Sequence, residues 1–431
     1  KGQCVAMLAA ATVLGRLRGG IGVVPPRDVS FQFVIDEEIG GNGSLSLAAD
    51  RGLGCGCVCV CEATDLNVHP ANRGATWYRI EIETAPEGGP NAALVGAYVL
   101  LELRAEGDRI KAESEHPLFP DRPVQTCNGV VGGWGPHPSR VCPVVGLCVI
   151  RAKGVREADW KEEMKGIDAA CRRGVQRYCE RHGDATHEPD PDHPTRTKVP
   201  RHSDTPPHEH SMFIALYGKS GHMGKIDVLD CAATKAAYVM VELEGAVAAE
   251  SEIALAEAPP HERQLPPAEV AGAPFVCGPD RDSLHRLVME GGQGFVPTHS
   301  IREVQERIAS AASRAARSFC EARGLDSDAV RVKTTFERLH NNAFERPADS
   351  EGMRAALAAA RLAGVYHGEP LCGFGVSCDA RLFADMRPEM DVVTFGPGQL
   401  RYAHSDEESI TIEEILKGAE VLVYMALLYG R

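Results

Sequence analysis

The chain has 431 residues, 44% of them hydrophobic and 25% charged, enough for two or three domains with substantial cores. Its net charge of -14 and pI near 5.6 argue against nucleic acid or an anionic membrane as partner, since both select basic patches. An odd count of 15 cysteines points to reduced thiols, no apolar run approaches a bilayer span, and Lys1-Gly2-Gln3-Cys4 is no signal peptide, so the chain reads as soluble and cytoplasmic.

In chain order, the pattern predicts a helix over Gly2 to Leu17, a strand from Val29 to Ile35, a helix from Ser44 to Asp50 and a strand from Gly56 to Cys61. This is the alternation of an α/β sheet. The first strand closes on Asp36-Glu37-Glu38 and opens onto Ile39-Gly40-Gly41-Asn42-Gly43. Neighbouring residues of a strand face opposite ways, so Glu37 and Glu38 share a side only where the strand has ended. One carboxylate can then hold a cation while the other handles a proton; a solvated acidic turn is the plainer alternative. Cys55, Cys57, Cys59 and Cys61 alternate along the second strand, which puts the sulfurs on one face about 7 Å apart. Zinc and iron-sulfur sites prefer Cys-x-x-Cys in turns, so these read as small buried hydrophobes of a parallel strand. That strand ends at Glu62-Ala63-Thr64-Asp65.

An internal repeat follows. Asn91-Ala-Ala-Leu-Val-Gly-Ala-Tyr-Val-Leu-Leu-Glu-Leu103 matches Cys231-Ala-Ala-Thr-Lys-Ala-Ala-Tyr-Val-Met-Val-Glu-Leu243 at seven of 13 positions. Each copy is preceded by a β-rich run (Thr76 to Glu83; Met212 to Tyr217). Each is followed by a Gly-Gly strand turn (Gly132-Gly133; Gly291-Gly292) and a long helix (Ala158 to Arg181; Ile301 to Arg323). We read two inserted α+β units, 73–182 and 211–335, joined by a His-, Asp- and Pro-rich linker, 183–210. The histidines in and beside that linker, His182, His187, His193, His202, His208 and His210, lack a spacing that would converge them on a metal. Beyond the insert come a helix from Ser350 to Leu362, strands Gly373 to Ser377 and Asp391 to Phe395, and a final helix opened by a capping box, Thr411 to Glu414. Residues 1–72 and 336–431 are expected to share one sheet. Between the last strand and helix, Phe395-Gly396-Pro397-Gly398 leads to Ala403-His404-Ser405, which sets His404 at the same sheet edge as Glu37, Glu38 and Glu62.

The order of Lys1-Gly2, Asp36 to Gly41, Glu62-Ala63-Thr64, Ser377-Cys378-Asp379-Ala380-Arg381 and Phe395 through Ser405 resembles a known family over nearly the whole chain. That family is the zinc-dependent amidohydrolases comprising aminoacylases, glutamate carboxypeptidases, acetylornithine deacetylases, desuccinylases and related dipeptidases. The resemblance implies an α/β, mixed-sheet zinc-peptidase catalytic domain, split by a duplicated ferredoxin-like lid. It implies Glu37 as general base and acid, Glu38, Glu62 and His404 as metal ligands, and two Zn2+ (or Co2+ or Mn2+) roughly 3.5–4 Å apart activating a water. Gly218 to Gly224 resembles the lid segment that carries an oxyanion-stabilising histidine, here His222, which the first copy lacks. Arg381 and Arg151 are candidates for a substrate carboxylate, as well as for structural ion pairs, with Gly396 and Gly398 lining the substrate side.

The family's His-x-Asp pair and bridging Asp lie upstream of Lys1, which implies an N-terminally truncated chain that binds metal weakly and does not turn over alone. Ala63 and Asp406 stand where the family has proline, and neither change removes a ligand. The expected function is hydrolysis of peptide or N-acyl amino acid amide bonds, in a protein able to act as a monomer because the second lid unit replaces a dimer partner. A catalytically silent relative that keeps the fold for binding or assembly is the alternative.

Overall fold

The computed structural model describes residues 1–37, 40–50, 54–131, 144–150, 156–182, 196–198, 211–218, 231–247, 252–256, 282–337, 340–403 and 408–431. The two ends of the chain meet in a parallel pair: β1 (Cys57–Val60) lies beside β12 (Asp391–Thr394), with Cys57 opposite Asp391 and Val60 opposite Thr394. Alternation along these strands builds two layers around them. Cys57, Cys59 and Val393 face a core with α1 (Gly2–Ile21), α8 (Glu351–Leu362) and α10 (Ile412–Leu428); Val58, Val60 and Val392 face α2 (Asn42–Ala49) and α9 (Ala380–Met386). Of the four alternating cysteines, Cys57, Cys59 and Cys61 share a face, whereas Cys55 precedes the strand and packs on the opposite side. The cysteines among the described residues are free thiols. The expected capping box is formed, Thr411 Oγ1 accepting from the Glu414 N–H at 3.1 Å while Glu414 accepts from the Thr411 N–H at 2.8 Å.

Three local expectations are corrected. Val29 to Ile35 forms no strand: Val29, Phe33, Val34 and Ile35 are exposed, and among the described residues no neighbouring strand offers a ladder that would satisfy an extended backbone. Gly373 to Ser377 pairs only as an isolated bridge between Phe374 and Asn72, the flanking glycines giving little to hold an extended run. Finally, Gly2–Ile21 is long and apolar enough to cross a membrane by length and composition, contrary to the reading that no run approaches that length. Its Ala6, Ala10 and Leu14 pack in the same core as α10, and Val5, Leu8 and Val13 stay exposed.

The insert holds two antiparallel four-stranded sheets. One, in the order β10-β3-β9-β4, uses β3 (Gly74–Thr84), β4 (Thr126–Val131), β9 (Arg286–Phe295) and β10 (Val330–Thr335). The other, β6-β7-β5-β8, uses β5 (Val144–Ile150), β6 (Arg196–Lys198), β7 (Ser211–Tyr217) and β8 (Glu252–Ala256). Helices α3 (Ala92–Glu113) and α7 (Ile301–Ala322) accompany the first, α4 (Glu157–His182) and α5 (Ala232–Glu244) the second, and the short α6 (Asp282–His285) leads into β9. Both units thus run βαββαβ with the strand order 4-1-3-2, and the second is contiguous, sitting between the second and third strands of the first.

The sheets therefore do not follow the expected units 73–182 and 211–335, because β4 and β5 of the first copy lie in different sheets. Two like copies can exchange halves and still bury the same surfaces. Arg196–Lys198, inside the run read as a linker, is strand β6 paired with β7, and the rest of 183–210 lies outside the described residues. Gly291-Gly292 is not a turn but the middle of β9: a Cβ on Gly291 would stand 2.4 Å from both the Cys127 carbonyl and the Tyr78 hydroxyl. Gly132-Gly133 lies outside the described residues.

Aligned residues of the repeat occupy matching places. Asn91, at the start of α3, donates to the Ile253 carbonyl of β8 at 2.6 Å; Cys231, at the start of α5, donates to the Asn128 carbonyl of β4 at 3.1 Å. Tyr98 meets Glu244 and Arg323 at the end of α7, and its counterpart Tyr238 meets His182 at the end of α4. One buried cluster runs through both units, with α7, α3, α5 and α4 packed in sequence.

Candidate active site

Two acid-bearing loops lie beyond the C-terminal ends of β1 and β12, the edge where ligands collect in parallel sheets. In the first, Asp36 takes a left-handed conformation (φ 65°) immediately before Glu37, and the turn closes through Gly41 N–H to Asp36 O (2.6 Å) and Gly40 N–H to Glu37 O (3.3 Å). In the second, Glu62 is followed by Asp65 (φ 54°) and Leu66 (φ 62°), also left-handed. Such backbone persists only where its surroundings hold it, and it gathers at functional sites.

What holds the second loop is the Phe395 to Gly398 segment. Thr64 Oγ1 donates to the carbonyls of Asn67 (2.7 Å) and Gly396 (3.1 Å), while Gly396 N–H donates back to Thr64 Oγ1 (3.0 Å). Asp65 N–H donates to Gly398 O at 2.9 Å. Gly396 leaves no space for a side chain, since a Cβ would lie 2.4 Å from the Glu62 carbonyl, and Gly398 is left-handed at φ 102°. In the structure both glycines seat the Glu62 loop.

The loops converge on Cys378. Asn72 Nδ2 donates to the buried Cys378 Sγ at 2.7 Å, while Asn72 Oδ1 accepts from Thr394 Oγ1 at 2.9 Å. Burial pushes the Cys378 thiol well above its ordinary range, and the carboxylates of Glu62 and Glu37 push it further, so both acids lie within electrostatic reach of one atom. Arg381 is 4% exposed and donates through Nη2 to the Gly40 carbonyl at 3.3 Å; burial lowers its pKa, and Asp379, Cys378, Asp385 and Glu37 oppose that.

Of the expected site residues, the structure brings Glu37, Glu62, Arg381, Gly396 and Gly398 to this edge. Glu38, Arg151, His222 and His404 lie outside the described residues. Among the described residues no three His, Cys, Asp or Glu side chains group as metal ligands. Asp379, Cys378, Thr64 and Asn72 received no role from the sequence. The available signal was Asp379 immediately before a short helix, which reads as an ordinary cap.

No curated protein matches the chain by sequence. Among solved structures, the chain is similar to the dipeptidase Dug1p of Saccharomyces cerevisiae at 11% identity and a TM-score of 0.42, over 91% of this chain and 64% of that one. It is similar to human carnosine dipeptidase 1 at 10% identity and a TM-score of 0.48, over 99% and 70% of the two chains. For aminoacylhistidine dipeptidase of Vibrio alginolyticus the values are 13%, 0.35, 91% and 69%. The chain thus spans less than two thirds of the length of the yeast enzyme. The family description "Peptidase family M20/M25/M40" matches residues 1–428, which is nearly the entire sequence, and the chain belongs to that peptidase family.

Proposed function

We propose that the protein is a metal-dependent hydrolase of peptide or N-acyl amino acid amide bonds, working at the edge that carries Glu37 and Glu62. The observation that supports this most is that two acid loops, each with left-handed backbone, are tied down by the segments flanking β12, the Glu37 turn through Gly40 to Arg381 and the Glu62 loop through Thr64 to Gly396. Glu38, Glu62 and His404 would hold zinc, with cobalt or manganese as substitutes, in a two-cation site. The metal, when bound, polarises the scissile carbonyl and acidifies water. Glu37 takes the proton from the attacking water and returns it to the leaving amine. His222 donates to the developing oxyanion. Arg151 meets the substrate carboxylate, and Gly396 and Gly398 keep the floor of the site free of side chains.

Residues 1–72 and 336–431 form the catalytic part in this reading, and 73–335 the lid. The matching roles of Asn91 with Cys231 and of Tyr98 with Tyr238 support a lid doubled within one chain, which would let a monomer supply what a dimer partner otherwise lends. The test is hydrolysis of a panel of dipeptides and N-acyl amino acids by the full-length protein, before and after chelation and after zinc is restored. Turnover that chelation abolishes and zinc restores is expected. Turnover indifferent to chelation, or none on either substrate class, refutes the reading.

A further inference from the structure

Asp379 stands at the start of α9, where an aspartate ordinarily caps its own helix, yet its side chain makes no cap hydrogen bond there. It is 3% exposed and faces a different helix. A Cβ placed on Gly41 would lie 2.1 Å from Asp379 Oδ1 and 2.7 Å from its Cγ, and the carboxylate is hydrogen-bonded by the Ser44 side chain. Gly41 is the residue before α2 and Ser44 the third residue within it. Because Gly41 has no side chain, α2 has no cap of its own, and its first N–H groups favour a negative charge at that end.

Two residues further along α9, Arg381 holds the Gly40 carbonyl at 3.3 Å. The same glycine pair donates to the carbonyls of Asp36 and Glu37, so whatever fixes Gly40 and Gly41 fixes the backbone of Glu37. Cys378, the thiol on which Glu37 and Glu62 converge, immediately precedes Asp379.

We propose that Asp379 and Arg381 are positioning residues. Asp379 anchors the first turn of α2 from α9 through Ser44 and its packing on Gly41, Arg381 clamps Gly40, and together they set the Glu37 turn against the Glu62 loop. At 4% exposure, Arg381 is a structural clamp and not the contact for a substrate carboxylate. The catalytic half of this inference rests on the hydrolase reading; the structural half does not.

The test therefore has two arms, both on the full-length protein. Amide hydrogen exchange over residues 42–49 is compared in wild type, Asp379→Ala and Asp379→Asn. An asparagine Oδ1 can still accept from Ser44, so Asp379→Asn should keep wild-type protection while Asp379→Ala exchanges roughly tenfold faster. In the kinetic arm, Asp379→Ala and Arg381→Lys should lower kcat roughly tenfold with KM within about twofold, equally for a dipeptide and its C-terminal amide, and Asp379→Asn should restore kcat. Unchanged exchange in Asp379→Ala, or equal loss in Asp379→Asn, overturns the anchor. A rise in KM confined to the free-carboxylate substrate overturns the clamp and returns Arg381 to substrate binding. Faster exchange with unaltered kcat overturns positioning. If wild type hydrolyses nothing, the hydrolase reading and the positioning role fail together, and the exchange arm still decides the anchor.

Discussion

Removing Arg323 should loosen the joint between the two units of the insert. Its guanidinium bonds Glu244 of α5 at 2.8 and 2.6 Å and the Tyr98 hydroxyl of α3 at 3.0 Å, and it lies 3.7 Å from the centroid of Phe319. A charge-assisted bidentate pair is worth about 1.5–3 kcal/mol when shielded, and side-chain exposures of 25% and 30% reduce that to about 1–2 kcal/mol. The stacking on Phe319 adds about 0.5–1 kcal/mol. Arg323→Ala should therefore cost about 2–3 kcal/mol, Glu244→Ala about 1–2 kcal/mol, and the double variant about 1 kcal/mol less than their sum, since the two share one interaction. Urea unfolding at neutral pH, with all four proteins at one ionic strength, measures the cycle. A coupling below about 0.3 kcal/mol would mean that the pair does not bolt the units together, and the joint would rest on apolar packing alone.

Two further outcomes are expected. Gly174 of α4 lies against the backbone of α5, where a Cβ would stand 2.6 Å from Val239 Cα; Gly174→Ala gains about 1 kcal/mol of helix propensity but loses about 1–3 kcal/mol to overpacking, so urea unfolding should show net destabilisation. Burial, with Arg104 and Arg181 nearby, lowers the His182 pKa from 6.5 to about 4. The unfolded chain then takes up this proton first, so stability is unaffected above pH 6.5 and falls as the pH drops from 6.5 towards 4. His182→Gln should flatten that part of the profile by about 1–2 kcal/mol, after discounting for partial exposure, and an unchanged slope would show that another group carries it.

Much of the architecture was legible because it rests on local patterns. Helical spacing and the Thr411 to Glu414 box gave the start of α10, and the repeat anticipated α3, α5 and the strands before them. What failed depended on partners that no local pattern reports. Val29 to Ile35 has the composition of a strand but lacks a ladder to join, and Gly291-Gly292 has the composition of a turn but lies where Tyr78 and Cys127 leave no space for side chains. The assignment of strands to the two sheets of the insert was hidden for a related reason. Two similar halves carry the same pattern whichever sheet they enter, so periodicity identifies the elements without assigning them to sheets.

At the site, Glu37 and Glu62 drew notice because acids beside a glycine-rich turn or a strand end are conspicuous in one dimension, even though the run before Glu37 forms no strand. Asp379 was overlooked because an aspartate before a helix is ordinary in sequence, and only the third dimension shows it packed against Gly41 of another segment. Gly396 shows the converse. Its place in a motif drew attention to it, and its crowding against the Glu62 carbonyl supplies a reason for glycine that no motif reports.

The central claim is that Glu37 moves the proton during metal-dependent amide hydrolysis. Its most direct test is the kcat/KM of Glu37→Gln against wild type in the full-length protein, on the best amide substrate found, with bound zinc measured in the same samples. The account predicts a fall of about 10²–10⁴-fold with zinc content unchanged. Wild-type turnover by Glu37→Gln would contradict it.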